Sequence, residues 1–195
     1  MVENTGKISR CSSFKTGKYP RTQFETIDSN SKAWAQSTCR KPYLCKHCAR
    51  VEANRRAKGY WQRILELNPT QLEMVTFQPA QKLAITDENI QRLLANVIAT
   101  LRPACTGALI NIHIGKGLHA HAIVTDRCKP LENFHCEDVT DLGAISYVLK
   151  YPIQDYYSIA KPKLTKKYLT LAQIVKNSNP TRAIGILSSR AKLSA

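Results

Sequence analysis

Two histidines carry the strongest chemical signal in this 195-residue chain, His119 and His121 in the run Leu118-His119-Ala120-His121-Ala122-Ile123-Val124. Alternate side chains on a strand share a face, with Cα atoms roughly 7 Å apart, so the two imidazoles can grip one metal ion. A lone strand histidine is more often a hydrogen-bonded core or surface residue than a ligand. Two inside an apolar strand cost free energy to bury unless something satisfies them. Just upstream, Gly115-Lys116-Gly117 separates two β-rich runs and reads as a hairpin turn. A three-residue loop places His113 opposite His119, so that three imidazoles converge with Asn111 beside them. A two-residue loop slips the register by one and turns His113 to the other face.

Two further groups of residues have the types and spacing for chemistry. Cys39, Cys45 and Cys48 form a Cys-x5-Cys-x2-Cys cluster whose thiolates can hold a structural Zn²⁺, with Cys11 preferred as fourth ligand over His47, which lies inside the knuckle. Tyr147, Lys150 and Tyr151 fall in a helical pattern that starts at Asp141 and is stopped by Pro152. At i, i+4 spacing the two phenols share one helix edge with the lysine. A tyrosine there can attack a phosphodiester and keep its energy in a covalent phosphotyrosine, Lys150 can steady the negative charge, and a divalent ion on the histidines can act as Lewis acid. Water-completed Mn²⁺ or Mg²⁺ would suit that work, although imidazole donors alone favour Zn²⁺.

These groups need a scaffold, and the chain has signals for one. Residues 1–37 read as a polar arm, and residues 38–68 as a zinc-binding appendage followed by a basic amphipathic helix from about residue 49 to 67, stopped by Asn68-Pro69. Arg50, Arg55, Arg56, Lys58 and Arg63 lie on that helix as candidate phosphate ligands. The main domain, 70–158, opens with a strand at 72–78 and a helix at 86–101 capped by Thr86 or Asp87, with apolar residues at 90, 93, 94, 97, 98 and 101. The histidine hairpin and tyrosine helix follow. Residues 159–195 have no acidic side chain and form a basic extension, with Lys161, Lys163, Lys166 and Lys167 as further DNA-binding candidates and a short helix across 166–176. The fold class expected is α+β, a mostly antiparallel central sheet of RRM-like kind with flanking helices, plus the zinc appendage.

Composition narrows the partner. A formal net charge of +15, from 29 Lys and Arg against 14 Asp and Glu, points to a polyanion, with nucleic acid ahead of an acidic membrane surface. No apolar run approaches the roughly 20 residues that a membrane span needs, and the first 37 residues lack a signal-peptide core, so a soluble intracellular protein is expected. Seven cysteines, an odd number, do not read as a secreted disulfide framework. No Gly-x4-Gly-Lys-Ser/Thr loop is present, which argues against ATPase or helicase activity.

The order strand, helix, histidine hairpin, tyrosine helix, preceded by a cysteine cluster, resembles the HUH endonucleases over residues 39–155. Leu118-His119-Ala120-His121-Ala122 looks like their His-hydrophobic-His motif, Tyr147-x3-Tyr151 like the signature of two-tyrosine phage initiators, and Cys39-x5-Cys45-x2-Cys48 with its basic helix like the amino-terminal part of rolling-circle plasmid initiators. The resemblance implies nicking of single-stranded or hairpin DNA at a replication origin. The implied products are a 5′-phosphotyrosine and a priming 3′-hydroxyl, with helicase and polymerase supplied separately by a bacterial or archaeal host whose cytoplasm holds the protein. Both tyrosines remain candidates. The chain departs from the family in having His113 where many relatives place a carboxylate, and in Pro152 just after Tyr151. A transposase or relaxase would use the same atoms, and a zinc-containing nucleic-acid-binding protein without catalysis is the alternative of a different class.

Overall fold

A computed structural model describes residues 21–25, 32–36, 42–43, 46–114, 117–129, 131, 134–151, 154 and 166–188. In chain order the elements are β1 (Arg21–Glu25), β2 (Lys32–Gln36), α1 (Lys46–Leu67), β3 (Leu72–Phe77), α2 (Asp87–Leu101), β4 (Cys105–His113), β5 (His119–Arg127), β6 (His135–Asp138), α3 (Leu142–Val148), α4 (Lys166–Ser178) and β7 (Thr181–Gly185). The α+β class is as expected. β1 and β2 pair as a separate antiparallel ribbon within the segment expected to be an arm. The other strands form one antiparallel sheet in the order β6-β3-β5-β4-β7. The histidine strand β5 is therefore central. Among the described residues no helix is long and apolar enough to cross a membrane.

Both faces of the sheet are covered, which is why β4 and β5 read as almost continuous apolar runs instead of the simple alternation of a half-exposed sheet. On one face Ala108, Ile110, Ile112, Ala120, Ala122 and Val124 pack against Ile90, Leu93, Leu94, Val97 and Leu101 of α2, with Val175 of α4 in the same cluster. On the other face Leu109 and Ile123 meet Ala57 and Ile64 of α1 and Ile145, Val148 and Leu149 around α3. Strand alternation puts Asn111, His113, His119 and His121 on this second face. The site thus lies between the sheet and the α1/α3 layer.

Caps explain where the helices begin. Thr86 caps α2, its hydroxyl accepting from the Asn89 N–H at 3.2 Å, with Asp87 and Glu88 in the first turn. Asp141 caps α3 by accepting from the N–H groups of Gly143 and Ala144 at 2.6 and 3.3 Å. Asn68, with φ of 47°, ends α1 as the Asn-Pro pair predicts.

Two expectations need correction, and a third gains no support. The tyrosine helix stops at Val148, three residues short of Tyr151. Tyr151 precedes Pro152, and proline disfavours helical backbone in the residue before it. The freed Val148 and Lys150 carbonyls take side-chain donors from β4 in place of helical bonds. The segment expected as a basic extension carries the expected helix, α4, but also adds β7 to the sheet, paired with β4 from Gly107↔Gly185 to Asn111↔Thr181. The zinc appendage gains no support: Cys11, Cys39 and Cys45 lie outside the described residues, and Cys48 is a buried residue in the first turn of α1.

Candidate metal centre and nucleophile

The hairpin register settles which of the two loop lengths holds. His113 pairs with His119 and Asn111 with His121 across β4 and β5. Thr76 of β3 flanks His121 on its other side. His113, His119 and His121 accordingly share one face, each offering a nitrogen that lies within 4.8 Å of the others. Two donors each about 2.1 Å from one ion stand at most about 4.2 Å apart, so loading requires only a small inward movement of the rings.

Hydrogen bonding orients each ring. A carbonyl can only accept, so His113 Nε2 donates to Val148 O at 2.8 Å and His119 Nδ1 donates to Gly117 O at 3.0 Å. The bare nitrogens are then His113 Nδ1 and His119 Nε2. His121 Nδ1 is 3.0 Å from Thr76 Oγ1, and as a donor there it leaves Nε2 bare. Two of these atoms, His113 Nδ1 and His121 Nε2, are buried and have no hydrogen-bond partner. Buried polar groups left unsatisfied cost about 1–3 kcal/mol each. A cation among the three rings removes both deficits, and the donor set fits one: one nitrogen per ring free, the other fixed by a second group.

Electrostatics agree with ligation. Burial pushes the pKa of His113 well below its usual value, against the pull of its bond to Val148 O, and the charges of His121, Lys150 and His119 add to the lowering. His121 is lowered to about 4, first by burial and then by His119 and Lys150. At neutral pH both rings are neutral, as a metal ligand must be. With no carboxylate among the three donors, the charge of a bound ion is not neutralised by its protein ligands. Imidazole donors suit Zn²⁺ better than Mn²⁺ or Mg²⁺, which prefer oxygen ligands.

The two tyrosines, expected to share an edge, are separated. Tyr147 is 43 % exposed, and its ring lies edge-on to His113 and His121 with centroids 5.6 and 5.0 Å away. The Lys150 Nζ sits over the Tyr147 ring, 4.0 Å from its centroid. Tyr151 is buried instead among Ala49, Ala53 and Ala172, edge-on to Tyr43 at 5.0 Å.

Asn111 holds this arrangement together, a role its sequence position did not disclose. It is buried, its Nδ2 donates to Val148 O at 2.7 Å and Lys150 O at 3.2 Å, and its Oδ1 accepts from Thr181 Oγ1 at 2.8 Å. The carbonyl after Tyr147 is therefore tied to a metal-ligand candidate and to this amide at once. Thr76 was missed too, because cross-strand neighbours of a strand are invisible until its pairing is known.

The basic residues divide. Arg50 and Lys58 are exposed, and Lys58 lines a groove beside Tyr147. Exposed Arg55 is paired with Glu52 at 2.6 Å, and half-buried Arg56 lines a small cleft with Tyr43 and Tyr151. Arg63 is engaged within the fold, its guanidinium donating to the carbonyls of Ile186 and Ser188 at 2.8–3.1 Å. Lys161 and Lys163 lie outside the described residues. Lys166 and Lys167 open α4, and their side chains are not among those described.

No protein-family model, curated protein or solved structure shows a significant match to this chain.

Proposed function

We propose that the chain is an HUH-type nickase and strand transferase that opens single-stranded DNA at a hairpin origin and so starts rolling-circle replication. One observation carries the reading. The ring of Tyr147 lies against two members of a three-imidazole cluster, at 5.6 and 5.0 Å, while the ammonium of Lys150 stands over its face. The net charge of +15 and exposed Lys58 beside the tyrosine support a polyanionic substrate.

In this mechanism Tyr147 Oη attacks the scissile phosphorus, forming a P–O bond as the bond from phosphorus to the 3′-oxygen breaks. The phosphate stays on the tyrosine as a 5′-phosphotyrosine, and the 3′-oxygen takes up the proton that the phenol gives up. The reverse reaction rejoins the strand without any other energy source. Lys150 offsets the negative charge that develops on the phenol oxygen. His113, His119 and His121 would hold the divalent ion, Mn²⁺ or Mg²⁺ in this role, which would supply Lewis acidity toward the phosphate. Tyr151, packed against Tyr43, has no part in attack. Helicase and polymerase come from the host.

The test is incubation of single-stranded and hairpin oligonucleotide pools with Mn²⁺, followed by denaturing gels and mass spectrometry. A covalent adduct is expected with wild type and Tyr151→Phe, and its loss is expected in Tyr147→Phe and His119→Ala. An adduct that survives Tyr147→Phe refutes the assignment of the nucleophile. Tight binding with no adduct from any strand refutes the nickase in favour of a non-catalytic DNA-binding protein.

A further inference from the structure

Between α1 and α3 the surface opens into a groove of about 390 Å³, with Tyr147 in its wall. Asn54 and Lys58, one turn apart on α1, line one side, and Leu142, Ser146 and Tyr147 of α3 with Lys150 line the other. The volume lies at the small end of the ~300–1,000 Å³ range of ligand pockets, room for about one nucleotide unit. Among the described residues lining it there is no carboxylate, and the ammonium of exposed Lys58 stands in its wall. Ser146 Oγ donates to Asn54 Oδ1, which joins the two helices across the groove and holds the amide in place. The amide nitrogen remains as a donor for a base edge.

We propose that this groove seats the nucleotide next to the scissile phosphate, with Lys58 pairing the adjoining phosphate and Asn54 contacting the base. The identity of the strand rests on the nickase reading above, but the groove makes its own demand. Strand entering from the α1 side meets Lys58 and Asn54 before it reaches Tyr147, so sequence preference at one position beside the cut arises from α1 and not from the sheet.

The test is performed in EDTA, where binding is read without cleavage. Fluorescence anisotropy of a labelled single-stranded oligonucleotide pool is measured against salt for wild type, Lys58→Gln, Lys58→Arg and Arg92→Gln. The last replaces an exposed arginine on α2, across the sheet. Each single-strand phosphate paired by the protein contributes about 0.7 to the log–log salt slope. Lys58→Gln should weaken binding several-fold and lower the slope by about 0.7, Lys58→Arg should restore both, and Arg92→Gln should leave both unchanged. Selection of bound strands followed by sequencing should show a base preference at one position that Asn54→Ala removes. Equal affinity and slope for wild type and Lys58→Gln, or an equal loss in Arg92→Gln, overturns the phosphate contact. Absence of any preference sensitive to Asn54→Ala overturns the base contact. Failure of the nickase reading looks different: the effect of Lys58 persists in EDTA while no strand yields an adduct in Mn²⁺.

Discussion

Replacing His113 by leucine should leave the metal-free protein as stable as wild type or more so, by about 0–2 kcal/mol, which is unusual for a residue only 2 % exposed. The range follows from what the ring does without metal. Its Nε2–H bond to Val148 O is worth about 0.5–1.5 kcal/mol net, and its loss leaves no orphan, because Asn111 Nδ2 still donates to the same carbonyl at 2.7 Å. Against that, the buried and unpartnered Nδ1 costs about 1–3 kcal/mol, which leucine removes while refilling most of the space. Most substitutions at buried positions destabilise, so the sign is diagnostic. Urea unfolding in EDTA gives the difference directly. Added Mn²⁺ or Zn²⁺ should then stabilise wild type by about 2.7 kcal/mol at a hundred times its Kd, and should stabilise the variant far less. A loss above about 2 kcal/mol in EDTA, or a metal-induced shift as large as that of wild type, would show that His113 is a structural core residue and no ligand.

Three further outcomes are expected. Because His113 and His121 are already neutral near neutrality, they release no protons on binding metal between pH 7.5 and 5.5, and log Kd should change by at most one proton's slope over that range where three ordinary imidazoles would give up to three; competition titration with a chromophoric chelator measures it. The same lowered pKa values favour the unfolded state as its histidines gain protons, so stability of the metal-free protein is complete above about pH 6.5 and should fall as pH drops from there through about 4, as unfolding at a series of pH values would show. Asn111→Asp presents a carboxylate to two carbonyl oxygens and should cost about 3–5 kcal/mol, whereas Asn111→Leu should cost less by denaturant unfolding; equal costs would mean that the amide donors do not hold Val148 and Lys150.

What could be read from the chain follows from how local each feature is. The His119/His121 pair needs only strand alternation, and α2 only its caps and 3.6-residue period, so both were legible. His113 depended on a register that two loop lengths could satisfy, and only the pairing His113↔His119 decides it. β7 was missed because the run from Thr181 to Gly185 is short, contains Arg182 and gains its stability from pairing with β4, a partner about 70 residues earlier. Tyr151 shows the converse. Its spacing from Tyr147 is sound for a helix, but Asn111 and His113, distant in sequence, claim the carbonyls at which that helix ends.

The same competition gives the site its asymmetry. A helix carried through to Tyr151 would set the two tyrosines on one edge, one turn apart, and a strand could then pass from one phenol to the other. Ending the helix at Val148 commits Tyr147 to the imidazoles and turns Tyr151 into the α1 and α4 packing. His113 therefore meets two demands: its buried Nδ1 has no protein partner and is left for an ion, while its Nε2–H fixes the carbonyl of Val148, the residue after Tyr147. A carboxylate in place of His113 has no such N–H, and could bind an ion but could not donate to Val148 O. In the proposed nickase the histidine at this position would couple ion position to tyrosine position, while Tyr151 packs away from the three imidazoles.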